Sequence, residues 1–181
     1  MKIKFDFVTN SSSSSFIVCW PKKIETIEDV KKYISRPDHA EIIFRDSIDQ
    51  TPISIKEDKE GFIHIVSEEL KSGTPLIDAD PGKYPNIGIS YFDHLKRFCK
   101  REGIEKDGEV LLNRAWREMF DKEVEILQTR DIEKFTKEFL HETTEGYAYF
   151  YTYSDDDGGL FASIEHENDW GNLPRIRVSH H

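Results

Sequence analysis

Near the start of the chain, the block Asn10-Ser11-Ser12-Ser13-Ser14-Ser15 separates two apolar runs, and any fold must find a place for it. Before the block, Ile3, Phe5 and Phe7 alternate with Lys2, Lys4 and Asp6, the period of a strand with one buried face. After it, Phe16 to Trp20 is apolar without interruption, as in a strand covered on both faces. Serine hydroxyls bond the nearby backbone and favour turns, so the block reads as the loop of a hairpin. A second reading is a nest in which Asn10, Ser11, Ser12 and Ser13 offer N–H and hydroxyl groups to a phosphate or a backbone carbonyl. The block holds neither glycine nor lysine, which excludes a nucleotide P-loop.

A chain of 181 residues suits one domain or two small ones. Twelve Phe and seven Tyr argue against disorder. The segment after Met1 is too short and too polar for a signal peptide, and no run approaches the ~20 apolar residues of a membrane span, so a cytoplasmic location is expected. Cys19 and Cys99 read as buried free thiols. Formal net charge is −10, and residues 141–181 carry eight carboxylates against two arginines. Such a balance argues against direct binding to duplex DNA, which needs Lys and Arg at the phosphates. It suits a basic partner, or simply keeps the chain soluble.

Along the chain, Thr26 and Asp29 bracket a helix start, Ile27, Val30 and Ile34 recur at helical spacing, and Pro37 reads as its stop. Glu41 to Phe44 predicts a strand, and Ile53, Ile55 and Phe62 to Val66 predict a hairpin around the charged turn Lys56 to Gly61. Residues 67–90 are rich in Pro and Gly and place a boundary near 80. Two helices follow over about 90–103 and 108–120, then a third over Thr129 to His141. In the tail, Tyr147, Tyr149, Tyr151 and Tyr153 alternate with other residues as a strand. Asp155 to Gly159 form a turn, Leu160 to Ile164 read as the returning strand, Trp170 to Pro174 as a loop, and Arg175 to Val178 as the last strand. The expected architecture is α+β, a mostly antiparallel sheet with about four helices packed on it. Residues 1–80 form a β-rich part with the serine loop, and 81–181 a helical segment plus a three-stranded acidic sheet, or the whole is one compact domain.

Chemistry, if any, gathers in the tail. Asp155, Asp156, Asp157, Glu165, His166 and Glu167 are hard oxygen and imidazole groups that could hold Mg²⁺ or Mn²⁺ for phosphodiester cleavage, although their spacing fits no EF-hand. His166 with Glu165, and His180 if the last strand pairs suitably, are candidate acid–base groups. No spacing indicates a resident metal or cofactor. The alternating tyrosines could stack bases, yet their acidic neighbours favour a core or protein-binding face. Tyr151, Tyr153, Asp155, Asp156, Asp157, Glu165 and Glu167 are therefore the expected partner-binding residues.

The string Asp6-Phe7-Val8-Thr9-Asn10, followed by Ser11 to Ser15 and Phe16, resembles an N-terminal signature of small proteins from Gram-positive bacteria and their mobile elements. Several of those are type II-A anti-CRISPR inhibitors of Cas9, and some interfere with the guide RNA. The resemblance covers about the first twenty residues. It implies a protein that binds a Cas9-type effector, free or guide-loaded, and inhibits it, with loss or truncation of the guide RNA as one route. The residues alone leave a small metal-dependent nuclease or hydrolase as the alternative, and the resemblance leaves a mobile-element interaction protein with no Cas9 role.

Overall fold

The structure is a computed structural model that describes residues 13–76, 129–154, 158–167 and 169–180, apart from the side chains of Thr74, Leu76 and His166. The fold is α+β, as the sequence predicts. In chain order the described elements are β1 (Ser13–Trp20), α1 (Ile27–Lys31), α2 (Pro37–Ile48), β2 (Ile53–Ser54), α3 (Lys59–Ser72), β3 (Thr74–Leu76), α4 (129–142), β4 (Tyr147–Ser154), α5 (Gly159–Glu167) and β5 (Arg175–Ser179). The strands form one sheet in the order β2-β4-β1-β5-β3, and β1 pairs antiparallel with both β4 and β5. No described helix is long and apolar enough to cross a membrane.

The chain divides into Met1–Thr74 with Leu140–His181, and Pro75–Phe139. The tail does not group with the middle of the chain, as a boundary near 80 implied, because both of its strands are laid against β1. Nor is the tail a three-stranded sheet. Leu160 to Ile164 lie within helix α5, and β4 and β5 flank β1 from either side. The predicted opening hairpin would need residues 1–12, which lie outside the described residues.

Cross-strand register sorts side chains between the two faces. Phe16, Val18 and Trp20 share one face with Tyr151, Tyr149 and Tyr147, their partners in β4. That face forms the main core with Val30 and Ile34, with Ala40 and Ile43 of α2, with Ile164 of α5, and with Trp170 and Leu173. The opposite face carries Ser15, Ile17 and Cys19, with Val178 and Ile176 opposite the first two. Phe16 to Trp20 are all buried, as an uninterrupted apolar strand requires. Burial pushes the Cys19 thiol up to about 12, which leaves it an inert free cysteine. Cys99 lies outside the described residues.

Two predicted strands are helices. Pro37 does not stop a helix; it occupies the first turn of α2, where its missing N–H costs nothing. Glu41 to Phe44 then continue the helix, whose buried residues include His39, Ala40, Ile43 and Ser47. Asp58 accepts from the Gly61 N–H at 3.0 Å and starts α3, so the supposed turn is a cap. Phe62 to Val66 are helical, and Phe62, Val66, Glu69 and Leu70 face inward. The Thr26 start holds: its N–H and hydroxyl both donate to Asp29 at 3.0 Å. Lys22, close by, holds that carboxyl well below its usual range.

Gly146 makes the entry to β4 possible. Its φ is +102°, and a Cβ there would stand 2.3 Å from the Trp20 carbonyl oxygen. Gly146→Ala is expected to cost ~1–3 kcal/mol in urea unfolding, the range for a forced left-handed backbone.

Candidate functional site

The serine block is a strand where it is described, not a loop. Ser13 lies opposite Ser154, Ser14 opposite Tyr153 and Ser15 opposite Thr152. Successive residues of a strand point to opposite faces, so Ser14 and Ser15 meet different helices. Ser14 is fully buried and donates to Glu165 Oε1 of α5 at 2.8 Å. The Arg177 guanidinium stands 3.4 Å from the same hydroxyl. Ser15 points the other way, where its hydroxyl donates to Glu69 Oε1 of α3. His180 Nε2 lies 2.8 Å from Ser15 Oγ and 3.7 Å from Glu69 Oε1. Ser72 Oγ also approaches Glu69 Oε1, at 3.3 Å.

This placement removes Ser13 from any phosphate nest. Its carbonyl accepts the His180 N–H at 2.9 Å, within the ladder between β1 and β5. The next two hydroxyls are committed to carboxylates, which would repel a phosphate. Asn10, Ser11 and Ser12 lie outside the described residues.

Nor does Ser15 have the surroundings of a nucleophile. In a serine relay the carboxylate sits on Nδ1 of the histidine, away from the serine. Here Glu69 accepts the hydrogen bond of the serine hydroxyl directly, and Ser15 is 1% exposed in the middle of a sheet. The carboxylate, two hydroxyls and imidazole instead tie α3 to β1 and the end of β5.

The predicted acid–base set does not assemble. Glu165 and His180 attach to neighbouring serines on opposite faces of β1, so the sheet stands between them. Glu165 is fully buried, and this also removes it from any partner-facing surface. The His166 side chain and Asp155, Asp156 and Asp157 lie outside the described residues. Among the described residues, no group of three or more His, Cys, Asp or Glu side chains could hold a metal ion.

Tyr151 and Tyr153, expected to meet a partner, are core residues with 2% and 1% exposure. Their rings stack in register down β4, with Tyr149–Tyr151 and Tyr151–Tyr153 centroids 6.4 and 6.2 Å apart. The Tyr151 hydroxyl pairs with Ser47 Oγ at 2.8 Å, and the Tyr149 hydroxyl accepts the Ile24 N–H at 3.0 Å. Burial raises all three phenols above their ordinary value. Base stacking on this face would require the helices to leave.

Of the predicted acidic set, Glu167 stands at the surface and joins a cluster that the sequence did not suggest. Its Oε1 accepts from Arg36 Nη1 at 2.7 Å and from Ser163 Oγ at 2.8 Å. Arg36 also donates to Asp38 at 2.6 Å, which holds the Asp38 carboxyl down to about 2. Ser163 Oγ further lies 2.9 Å from both Arg36 Nη1 and His39 Nε2. His39 Nδ1 is 3.9 Å from Asp169 Oδ2. Serine, histidine and aspartate thus follow one another as in a hydrolytic relay, but the protons are placed differently. Ser163 donates its hydrogen bond to Glu167, and Asp169 Oδ2 accepts the Ser35 N–H, the Ser35 hydroxyl and the Arg36 N–H at 3.1, 2.9 and 3.1 Å. The cluster locks α5 onto the start of α2.

On the opposite side of the sheet, the described residues line a cleft of about 1120 Å³. Ile17, Ala148 and Phe150 come from the strands, and Ile65 and Glu69 from α3. Compared with protein-family models, curated proteins and solved structures, the chain matches none.

Proposed function

We propose that this protein is an inhibitor of the anti-CRISPR type, which binds a basic guide- or DNA-holding surface of a Cas9-type effector through its own acidic surface. The observation that carries this reading is the net charge of −10, with eight carboxylates against two arginines over residues 141–181. Lys22 and Lys32 pair with Asp29, Lys31 with Glu28, Arg36 with Asp38 and Glu167, Arg45 with Asp46, Lys71 with Glu68, and Arg130 with Asp131. These seven cations are met locally by as many carboxylates, so they do not offset the excess of carboxylate in the chain. A surface of that sign is repelled by nucleic acid and attracted to the channel that holds it. The resemblance of the stretch around Ser11 to Ser15 is what suggests a Cas9-type effector, and the burial of the tyrosines argues against base stacking as a competing use of the sheet.

A pull-down with Cas9, alone and guide-loaded, tests the reading. Binding is expected to weaken as salt rises from 50 to 500 mM, with loss of target cleavage in the bound fraction. Replacing Asp155, Asp156 and Asp157 by lysine should slow association, most visibly at low salt. A gel of the recovered guide RNA separates truncation from simple occupation of the channel. No binding in either form, together with unimpaired target cleavage, would sink the proposal.

A further inference from the structure

We propose that His39 is a proton-operated latch, which holds α5 against α2 while neutral and loosens that contact when protonated. The proposal rests on where each hydrogen in the cluster can go. Ser163 Oγ spends its own hydrogen on Glu167 and receives one from Arg36. Its remaining lone pair faces His39 Nε2 at 2.9 Å, so that nitrogen carries the imidazole hydrogen. Nδ1 is then the bare nitrogen. It is fully buried, has no hydrogen-bond partner among the described residues, and faces a carboxylate oxygen 3.9 Å away. That oxygen is already held by the backbone and hydroxyl that lead into α2.

A proton arriving on Nδ1 has no bond waiting for it. To reach it, Asp169 must move from Ser35 and Arg36, or the ring must leave Ser163. Either movement opens the join between α2 and α5. The groups facing His39 are Arg36 and Asp38 at the start of α2, Ser163 and Glu167 from α5, and Asp169 from the following loop. Burial, with Arg36 beside it, lowers the affinity of the ring for that proton, and the three carboxylates only partly offset this. The unfolded chain therefore binds the proton more readily, near the ordinary histidine value of ~6.5, and stability is lost as pH falls through that value. Asp38 and Glu167 are both held below their ordinary carboxyl values and stay ionised through this window.

The test compares wild type with His39→Gln, whose amide nitrogen can replace Nε2 toward Ser163 but cannot titrate. Urea unfolding is followed at pH 7.5 and 5.5. Wild type is expected to lose up to roughly tenfold more of its folding constant than the variant over that range, the limit set by one proton at one pH unit below 6.5. NMR of the ring nitrogens should show hydrogen on Nε2 and none on Nδ1 at pH 7.5. Equal pH dependence in the two proteins overturns the latch, and so does a ring hydrogen on Nδ1. If the variant does not fold, the NMR tautomer and the wild-type titration of His39 still decide: a ring protonated at or above pH 6.5 in the folded state is incompatible with the proposal.

Discussion

Replacing Ser14 and Ser15 together by alanine is expected to remove roughly 4–6 kcal/mol of folding stability. Each hydroxyl donates to a carboxylate that the fold has withdrawn from water, Glu165 on one side of the sheet and Glu69 on the other. Removing a donor from a buried charged acceptor costs about 2–3 kcal/mol, above the range for neutral pairs. The two serines bond different carboxylates on different helices, so the two losses are expected to sum. Against a typical stability of ~5–15 kcal/mol, that loss is at least roughly a quarter of the total and all of it at the lower end. Urea unfolding followed by fluorescence of the buried Trp20 and Trp170 measures this. Ser13→Ala provides the internal control: Ser13 is only partly buried, and its loss should stay within ~0.5 kcal/mol. If all three alanines cost the same, position within the block does not matter and the two-faced strand is the wrong account.

The pairing of those carboxylates with the serines could not be found from the sequence. Glu165 lies 151 residues from Ser14, Glu69 lies 54 from Ser15 and His180 lies 165 from Ser15. A run of serines has local turn preferences, and these pointed to a loop. The preference loses here because β4 and β5 supply ladders on both sides, and each inward hydroxyl finds a charged acceptor. A block of small hydroxyl side chains at the centre of a sheet is rare enough that its acceptors had to be seen.

Elements with a single clear period were legible. The alternating tyrosines gave β4, Arg175 to Val178 gave β5, and Ile132, Phe135 and Phe139 gave α4, in which the last two rings stack 5.7 Å apart. Helices α2 and α3 were not. Each contains a short β-branched and aromatic run, Ile42-Ile43-Phe44 and Ile63-His64-Ile65-Val66, that imitates a buried strand. The helical stripe is visible only when polar members of the inner face are counted: His39 and Ser47 in α2, Glu69 in α3. Those polar residues are buried because each has a partner from elsewhere in the chain. The cluster around Ser163 was hidden for the same reason, since Arg36, His39, Glu167 and Asp169 come from two distant segments.

The segment from Asp169 to Gly171, read from sequence as part of an ordinary loop or its edge, is where the second large effect is expected. Trp170 is fully buried, with ring centroids 5.1 Å from Tyr151, 5.4 Å from Phe16 and 6.5 Å from Tyr153. It packs on the tyrosine face of β4 and on Phe16 of the neighbouring strand β1. The residues on either side fix it there. Asp169 holds the backbone at Ser35 and Arg36, and Gly171, at φ +55°, passes where a Cβ would stand 2.6 Å from the Tyr33 carbonyl oxygen. Trp170→Ala should therefore cost about 3–5 kcal/mol, because neighbours pinned at both ends cannot collapse into the cavity. Its near-UV circular dichroism should weaken even where the variant still folds. Trp170→Phe separates packing from hydrogen bonding. The indole Nε1 has no partner among the described residues, so phenylalanine forfeits volume but no bond, and its loss should stay below ~2 kcal/mol. A phenylalanine variant as unstable as the alanine one would mean that the indole nitrogen, rather than the ring, holds this loop to the sheet.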